Sequence, residues 1–412
     1  MNIYANRRKA LAEKMEDNTF AFVFSGLAIN KSEDEAFPFD VDRSFYYLTG
    51  IEKEGMVLCL NKTNGILRES MYILPYDEYL AKWVGGRMKD DEVREISGVN
   101  VVNDIADLDD YVTAAFSNLR SSRNLRIYVD LWRYTKEQAD SEAIKFAKRI
   151  KERHLNTEIL DIYPLVASLR MIKDEYEISC IREAIETTRL GIRAMMRNVR
   201  PGMNEMVAEG LFNFTLMQRL CNKNAFKTIA ASGMRATTLH YSDNNQVMED
   251  GELLLCDLGA TYKNYCADIS RTFPVNGKFT DRQREIYNIV LSAQKLVGET
   301  ARPGLTLRDL NQTVIDYYRE ELPKHGLLKD VSEYYFHGVS HQLGLDTHDV
   351  GSRTDVLAPG MVISNEPGLY ISDEGIGIRI EDDLLITEDG CEFLSKDIIK
   401  NPEDIEALMN RN

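Results

Sequence analysis

The sequence predicts an α/β chain of two domains, a smaller one over residues 1–165 and a larger one over 166–412. Three observations lead there. In the first part, short runs rich in aromatic and β-branched residues (FAFVFSG, SFYYLTG, MVLCLN, SMYILPY and LRIYVDLW) are bounded by turn formers, the mark of strands. From KDEYEISCIREAIETTRLGIRAMMRNVRPG onward the pattern changes to a long helical stripe. The order long helix, Arg-Pro-Gly, helix, strands then occurs twice.

Element by element, the first domain alternates those runs with helical stretches. Between Thr135 and Arg153 the apolar positions Ala139, Ala143, Phe146 and Ile150 recur at helical spacing. In the second domain, Ile178, Ile181, Ile185, Thr188, Ile192, Met195 and Val199 step by three and four residues and form the buried stripe of one amphipathic helix. Asp174 with Glu177 makes a capping box at its start, and Arg200-Pro201-Gly202 stops it. A second long helix opens at the capping box Thr280 and Gln283 and ends at Arg302-Pro303-Gly304, 102 residues after the first stop. The repeated order argues for an internal duplication, two α-α-β-β halves facing each other across a pseudo-twofold axis.

Composition narrows the function. The 412 residues carry 66 acids against 50 bases, a net charge of -16, which disfavours a phosphate-backbone partner and excludes nucleic acid as the expected ligand. No run approaches the ~20 apolar residues needed to span a bilayer, so no membrane role is expected. The start, MNIYANRRKALAEKMEDN, lacks the apolar core of a signal peptide, and a cytoplasmic location follows as an expectation. The six cysteines are scattered without CxxC pairing, as reduced thiols are.

The chemistry concentrates in acids and histidines. GELLLCDLGATYKNYCADISRTFPV places Asp257 and Asp268 on two strands joined by a polar turn; a hairpin centred between Tyr262 and Lys263 sets the two acids opposite each other, and one centred a residue later sets them diagonal. In the second half MVISNEPGLYI and GIRIEDDLLIT carry Glu366 and Glu381, which follow Asp257 and Asp268 by 109 and 113 residues. Acids in such apolar runs are costly unless paired. HGVSHQLGLDTHD gathers three of the six histidines, His337, His341 and His348. Four carboxylates and one imidazole describe a cage for two divalent ions, with manganese, iron(II) or cobalt suited to the donor set and zinc a further option.

At these residues the chain resembles the pita-bread metallopeptidases. DLGATYKNYCADISRTF, HGVSHQLGLDTHD, NEPGLYI and IRIEDD stand in family order, and the likeness runs from about residue 165 to the end. RSFYYLTG and AKWVGGRM make the preceding domain similar to the creatinase-like N-terminal domain of aminopeptidase P and prolidase. The resemblance implies that Asp257, Asp268, His341, Glu366 and Glu381 are metal ligands, manganese first among the ions, and that Asp268 and Glu381 bridge. It implies that His240 and His348 face the substrate and that His337, four residues before the ligand histidine, marks the proline-specific branch. The expected function is an exopeptidase that hydrolyses the bond before a proline at position two of a peptide. A prolidase restricted to dipeptides, and a non-hydrolytic or creatinase-like protein on the same fold, are the alternatives.

Within that reading Glu366 moves the proton of the attacking water, His348 stabilises the oxyanion, and Arg379, two residues before Glu381 on one strand face, orients the carboxylates. Tyr370 adds a hydroxyl, with His240, His337 and His348, to the substrate wall. His154 and His325 read as surface residues, Cys256 as core, and Cys266 as sharing the face of Asp268. Trp83 reads as packing or interface, and the family suggests a homodimer or larger homo-oligomer.

Overall fold

The computed structural model describes residues 2–118 and 125–410. The chain divides into two compact units, Met1–Arg170 and Met171–Asn412. The boundary expected after residue 165 falls inside the helix Tyr163–Arg170, which belongs whole to the first unit.

In the first unit, six strands form one sheet: β1 (Thr19–Phe24), β2 (Val57–Thr63), β3 (Ile66–Ile73), β4 (Val102–Asp104), β5 (Arg126–Val129) and β6 (Glu158–Asp161), in the order β4-β3-β2-β1-β5-β6. Phe20, Phe22, Ile127 and Val129 bury one face against Ala143, Phe146 and Ile150 of the helix Glu142–Arg153. That helix starts at its Ser141 cap, later than the apolar spacing from Ala139 suggests. SFYYLTG is a helix, Arg43–Thr49, and not a strand. Asp42 caps it by accepting from the Phe45 N–H at 2.8 Å, and Gly50 ends it at φ 70°. Ser44 to Thr49 are all buried, so the aromatic run is apolar because the helix is enclosed, a case that strand statistics misread.

The second unit carries the duplication. Helices Glu175–Asn198 and Glu205–Gln218 open the first half, Asp281–Thr300 and Leu307–Glu321 the second. Both long helices begin at the expected capping boxes. Each ends in a turn whose glycine has positive φ, Gly202 at 85° and Gly304 at 92°. Gly202 N donates to Met248 O and Gly304 N to Leu357 O, while Asn204 bridges Val247 and Thr306 bridges Val356. These matched pairs keep the sequence offsets of 102 and 109 residues.

The strands of the first half are β7 (Ile229–Ser232), β8 (Leu253–Leu258), β9 (Thr261–Tyr262), β10 (Tyr265–Cys266) and β11 (Ile269–Pro274). Those of the second are β12 (Val362–Asn365), β13 (Gly368–Ile371), β14 (Ile376–Arg379), β15 (Asp382–Ile386) and β16 (Cys391–Phe393). The sheets run β11-β8-β7 and β12-β15-β16, so the equivalent pairs β8/β11 and β12/β15 each gain a third strand on opposite sides. Beneath them, Ile229, Ala231, Leu255 and Tyr370 share a small core. Among the described residues no helix is long and apolar enough to cross a membrane.

Candidate metal centre and active site

Hairpin geometry decides where the first two acids stand. The turn is Lys263-Asn264, both at positive φ (48° and 63°), the signature of a type I′ turn. It pairs Tyr262 with Tyr265 and Asp257 with Ser270. The later of the two registers therefore holds, and Asp257 and Asp268 are diagonal rather than opposite. In the second half Asn365 pairs with Asp382 and Gly368 with Arg379, so the constant register brings Glu366 level with Glu381.

Asp268, His341 and Glu381 offer ligand atoms that all lie within 4.8 Å of one another. Glu366 and Asp257 flank them: His341 Nε2 is 3.3 Å from Asp268 Oδ2 and 3.5 Å from Glu366 Oε1. The His341 tautomer follows from its other nitrogen. Nδ1 lies 3.0 Å from the Gln342 carbonyl and so must donate, leaving the Nε2 lone pair aimed at two carboxylates. An acceptor facing acceptors is repulsive unless a cation or proton lies between. Asp257 Oδ1 adds to this, being buried without a hydrogen-bond partner. Burial, and then the neighbouring acids, pushes Asp268 and Glu381 well above the usual carboxylate range; burial also raises Glu366. The donor set and its crowding fit divalent cations.

Hydrogen bonds and ion pairs from behind hold these groups in place. Arg379 is buried, 3% exposed, which removes its reading as a surface arginine. Its guanidinium donates to Asp257 Oδ2 at 2.6 Å, Ser270 Oγ at 2.8 Å and Tyr370 Oη at 3.0 Å. Ser270 Oγ donates in turn to Glu381 Oε2 at 2.7 Å, and Asp268 N donates to Asp383 Oδ2 at 3.2 Å. Behind them, Arg271 and Asp382 form a fully buried ion pair at 2.8 Å, with Ser395 and Gln294 also donating to Asp382. Ser270, Arg271, Asp382 and Asp383 were not singled out from sequence. The signal was present, since a charged residue inside an apolar strand such as DISRTF or EDDLLI needs a buried partner.

Above the acids a cavity of about 660 Å³ is lined by His240, His337, His341 and His348 together with Asp257, Glu366 and Arg379. His348 keeps an exposed edge and packs ring to ring on His341, centroids 4.1 Å apart; partial burial and then the His341 and His240 charges lower it to about 4. His337 uses both ring nitrogens within the chain: Nδ1 donates to Gly338 O at 2.9 Å and Nε2 accepts from Tyr370 Oη at 2.8 Å. Burial, then Arg379, lowers it to about 3, and burial raises the Tyr370 phenol to about 12. The expected wall thus divides into an open pair, His240 and His348, and a locked pair, His337 and Tyr370.

Other expectations end elsewhere. Cys256 is buried core, and Cys266 points its thiol at the Leu345 carbonyl, 3.8 Å away, because the strand breaks between β10 and β11 before alternation reaches Asp268. His325 is not a free surface residue: Glu285 and Glu321 hold its nitrogens at 2.6 and 3.1 Å, the hydrogen bond to Glu285 raising its pKa most. Trp83 is 73% exposed beside Tyr79.

A model described as metallopeptidase family M24 matches residues 179–388, and one described as aminopeptidase P, N-terminal domain, matches residues 4–124. The chain belongs to metallopeptidase family M24. This M24 chain is 35% identical over 434 residues to the Xaa-Pro aminopeptidase of Escherichia coli (strain K12), with 98% of this chain and 97% of that protein covered. It is 31% identical to intermediate cleaving peptidase 55 of Saccharomyces cerevisiae, covering 98% of this chain and 83% of the relative. A solved structure, proline aminopeptidase P II from Yersinia pestis, superposes with a TM-score of 0.90 at 33% identity, covering 100% of this chain and 99% of the other. The mixed α/β architecture, an aminopeptidase P N-terminal domain before an M24 catalytic domain, is that of the family.

Proposed function

We propose that this M24 hydrolase is a metal-dependent Xaa-Pro aminopeptidase that removes the first residue of peptides with proline in second position. The observation that carries the reading is the convergence of Asp268, His341 and Glu381, flanked by Asp257 and Glu366, on the floor of a histidine-lined cavity. Full-length likeness to Xaa-Pro aminopeptidases supports it. Asp257, Asp268, His341, Glu366 and Glu381 would hold two divalent ions, manganese first by donor chemistry. When bound, such ions act as Lewis acids and lower the pKa of water.

The remaining steps belong to the chain's own groups. Glu366, held by Ser364 Oγ at 3.5 Å on the turn before Pro367, takes a proton from the attacking water and returns it to the leaving nitrogen. That return matters because a bond to proline is a tertiary amide with no N–H of its own. His348, neutral at working pH with its value near 4, donates one N–H to the oxyanion. Asp257, which lines the cavity floor, is the carboxylate toward which the substrate's terminal ammonium would lie. Arg379 fixes Asp257 and, through Ser270, Glu381. His337 acts on Tyr370 and not on the substrate directly, because neither of its nitrogens is free. Reduced cysteines support a cytoplasmic location, and the exposed Trp83, Tyr79 and Val84 of the helix Glu78–Val84 support contact between subunits of a homo-oligomer.

Hydrolysis of Ala-Pro-Ala against Ala-Ala-Ala by manganese-supplied protein tests the reading. Release of alanine from the first at more than tenfold the rate of the second is expected, and equal rates exclude it. Cleavage of Ala-Pro alone, with Ala-Pro-Ala untouched, transfers the assignment to a dipeptidase.

A further inference from the structure

The charges on the cavity wall can be accounted for one by one. Asp349 is tied to Lys173 at 3.1 Å, both side chains buried, and Arg379 is tied to Asp257. The remaining acids belong to the metal centre. Two cations are left over: among the described residues neither Lys227 nor Arg353 has a hydrogen-bond or ion-pair partner, and both line the cavity. In a chain of net charge -16, a lysine and an arginine that face the cavity without an acid partner are available to bind a negative group there.

Their positions differ. Arg353 lies over Gly338, its guanidinium carbon 3.6 Å from where a Cβ would sit, and its charge bears on His337 and His348 at the reactive end. Lys227 lies on the segment that leads into β7. Ile229 pairs with Asp257 across β7 and β8, so the two side chains share a face. Lys227 lies two residues before β7 begins at Ile229, and Thr228 between them is buried. The cavity accordingly contains Lys227, Ile229 and Asp257 and omits Thr228. Two extended residues span about 7 Å. A substrate with its terminal ammonium at Asp257 that runs toward Lys227 by the same step would bring the residue after proline within reach of the Lys227 ammonium.

We infer that Lys227 is a specificity-determining cation that recognises a carboxylate on the third residue of the substrate. This rests on the Xaa-Pro aminopeptidase reading and names the peptides it favours. The carboxylate has two sources, an Asp or Glu side chain at the third position or the free terminus of a tripeptide. Being partly solvated, the contact should give a preference of roughly threefold to fivefold.

Four peptides separate the cases: Ala-Pro-Asp-Ala-amide against Ala-Pro-Asn-Ala-amide for the side chain, and Ala-Pro-Ala against Ala-Pro-Ala-amide for the terminus. The expected result is a higher kcat/KM for the carboxylate member of at least one pair, expressed mainly in KM and reduced at 0.5 M salt, roughly, where screening shortens to a few Å. Lys227→Gln should bring that ratio to about one, Lys227→Arg should keep it, and Lys227→Glu should reverse it. Equal kcat/KM within both pairs for the unsubstituted protein, or a ratio unchanged in Lys227→Gln, overturns the inference while leaving the peptidase reading standing. Failure to cleave any of the four overturns the peptidase reading itself.

Discussion

The two hairpins of the catalytic unit descend from one plan and hold their acids differently. In the first, the Lys263-Asn264 turn sets the ladder so that Asp257 faces Ser270 and Asp268 lies past the last paired residue. In the second, the register continues unbroken on both sides of Glu366 and Glu381, and the two stand level. Both arrangements crowd carboxylates: after burial, Asp257 is the acid that raises Asp268 most, and Asp268, then Glu366, are the acids that raise Glu381 most. The support also crosses between halves. Arg379 of the second half holds Asp257 of the first, Ser270 of the first holds Glu381 of the second, and Arg271 pairs with Asp382. The duplication therefore gives two similar scaffolds that are each incomplete alone.

The sharpest way to break this comparison is to remove one member of the central trio from each half. Asp268→Ala and Glu381→Ala are expected to lower metal content and to cost at least roughly 10³-fold in kcat/KM, as loss of a several-kcal/mol charge stabilisation implies. Glu366→Gln should lose comparable kcat while keeping more metal. Metal analysis beside steady-state kinetics reads this, and wild-type metal content with full activity in Asp268→Ala would refute the central assignment.

Removal of metal gives the next effect. With their folded pKa values raised above the unfolded range near 4, Asp268, Glu366 and Glu381 bind protons in the folded apo protein that the unfolded chain releases. Their contribution to stability is present at low pH and is lost as pH climbs through the folded values. Cations held by these carboxylates would relieve this. The stability difference between metal-loaded and chelated protein, read from denaturant melts, should therefore widen from pH 5 toward pH 8, roughly, reaching about 2.7 kcal/mol at a hundredfold excess over Kd. Parallel profiles would show that these carboxylates do not face the ions.

The smallest effect tests whether the duplicated turns are equivalent. Gly202 and Gly304 have open space where a Cβ would stand, so only the left-handed backbone opposes a side chain. Gly202→Ala and Gly304→Ala should each cost about 1–2 kcal/mol in denaturant melts. Clearly unequal costs would mean that the two turns bear different loads.

Some of this was legible before any coordinates. Capping boxes, the long stripe from Ile178 to Val199 and the paired Arg-Pro-Gly stops are local patterns, and local patterns survive into the fold. The aromatic run before Gly50 was not legible, because enclosure on every side erases the periodicity that separates helix from strand. Lys227 escaped notice for another reason: a single lysine among many carries no signal until its neighbours are known to leave it unpaired.

By itself the sequence determined the duplication, the two acids in each half and the histidine between them, since spacing along the chain records all three. Which register the first hairpin takes, which histidine nitrogens stay free, and which cations stay unpaired were decided only by the tertiary structure. Those outcomes depend on partners over a hundred residues away, such as Arg379 on Asp257 and Arg271 on Asp382, whose meeting no local pattern encodes.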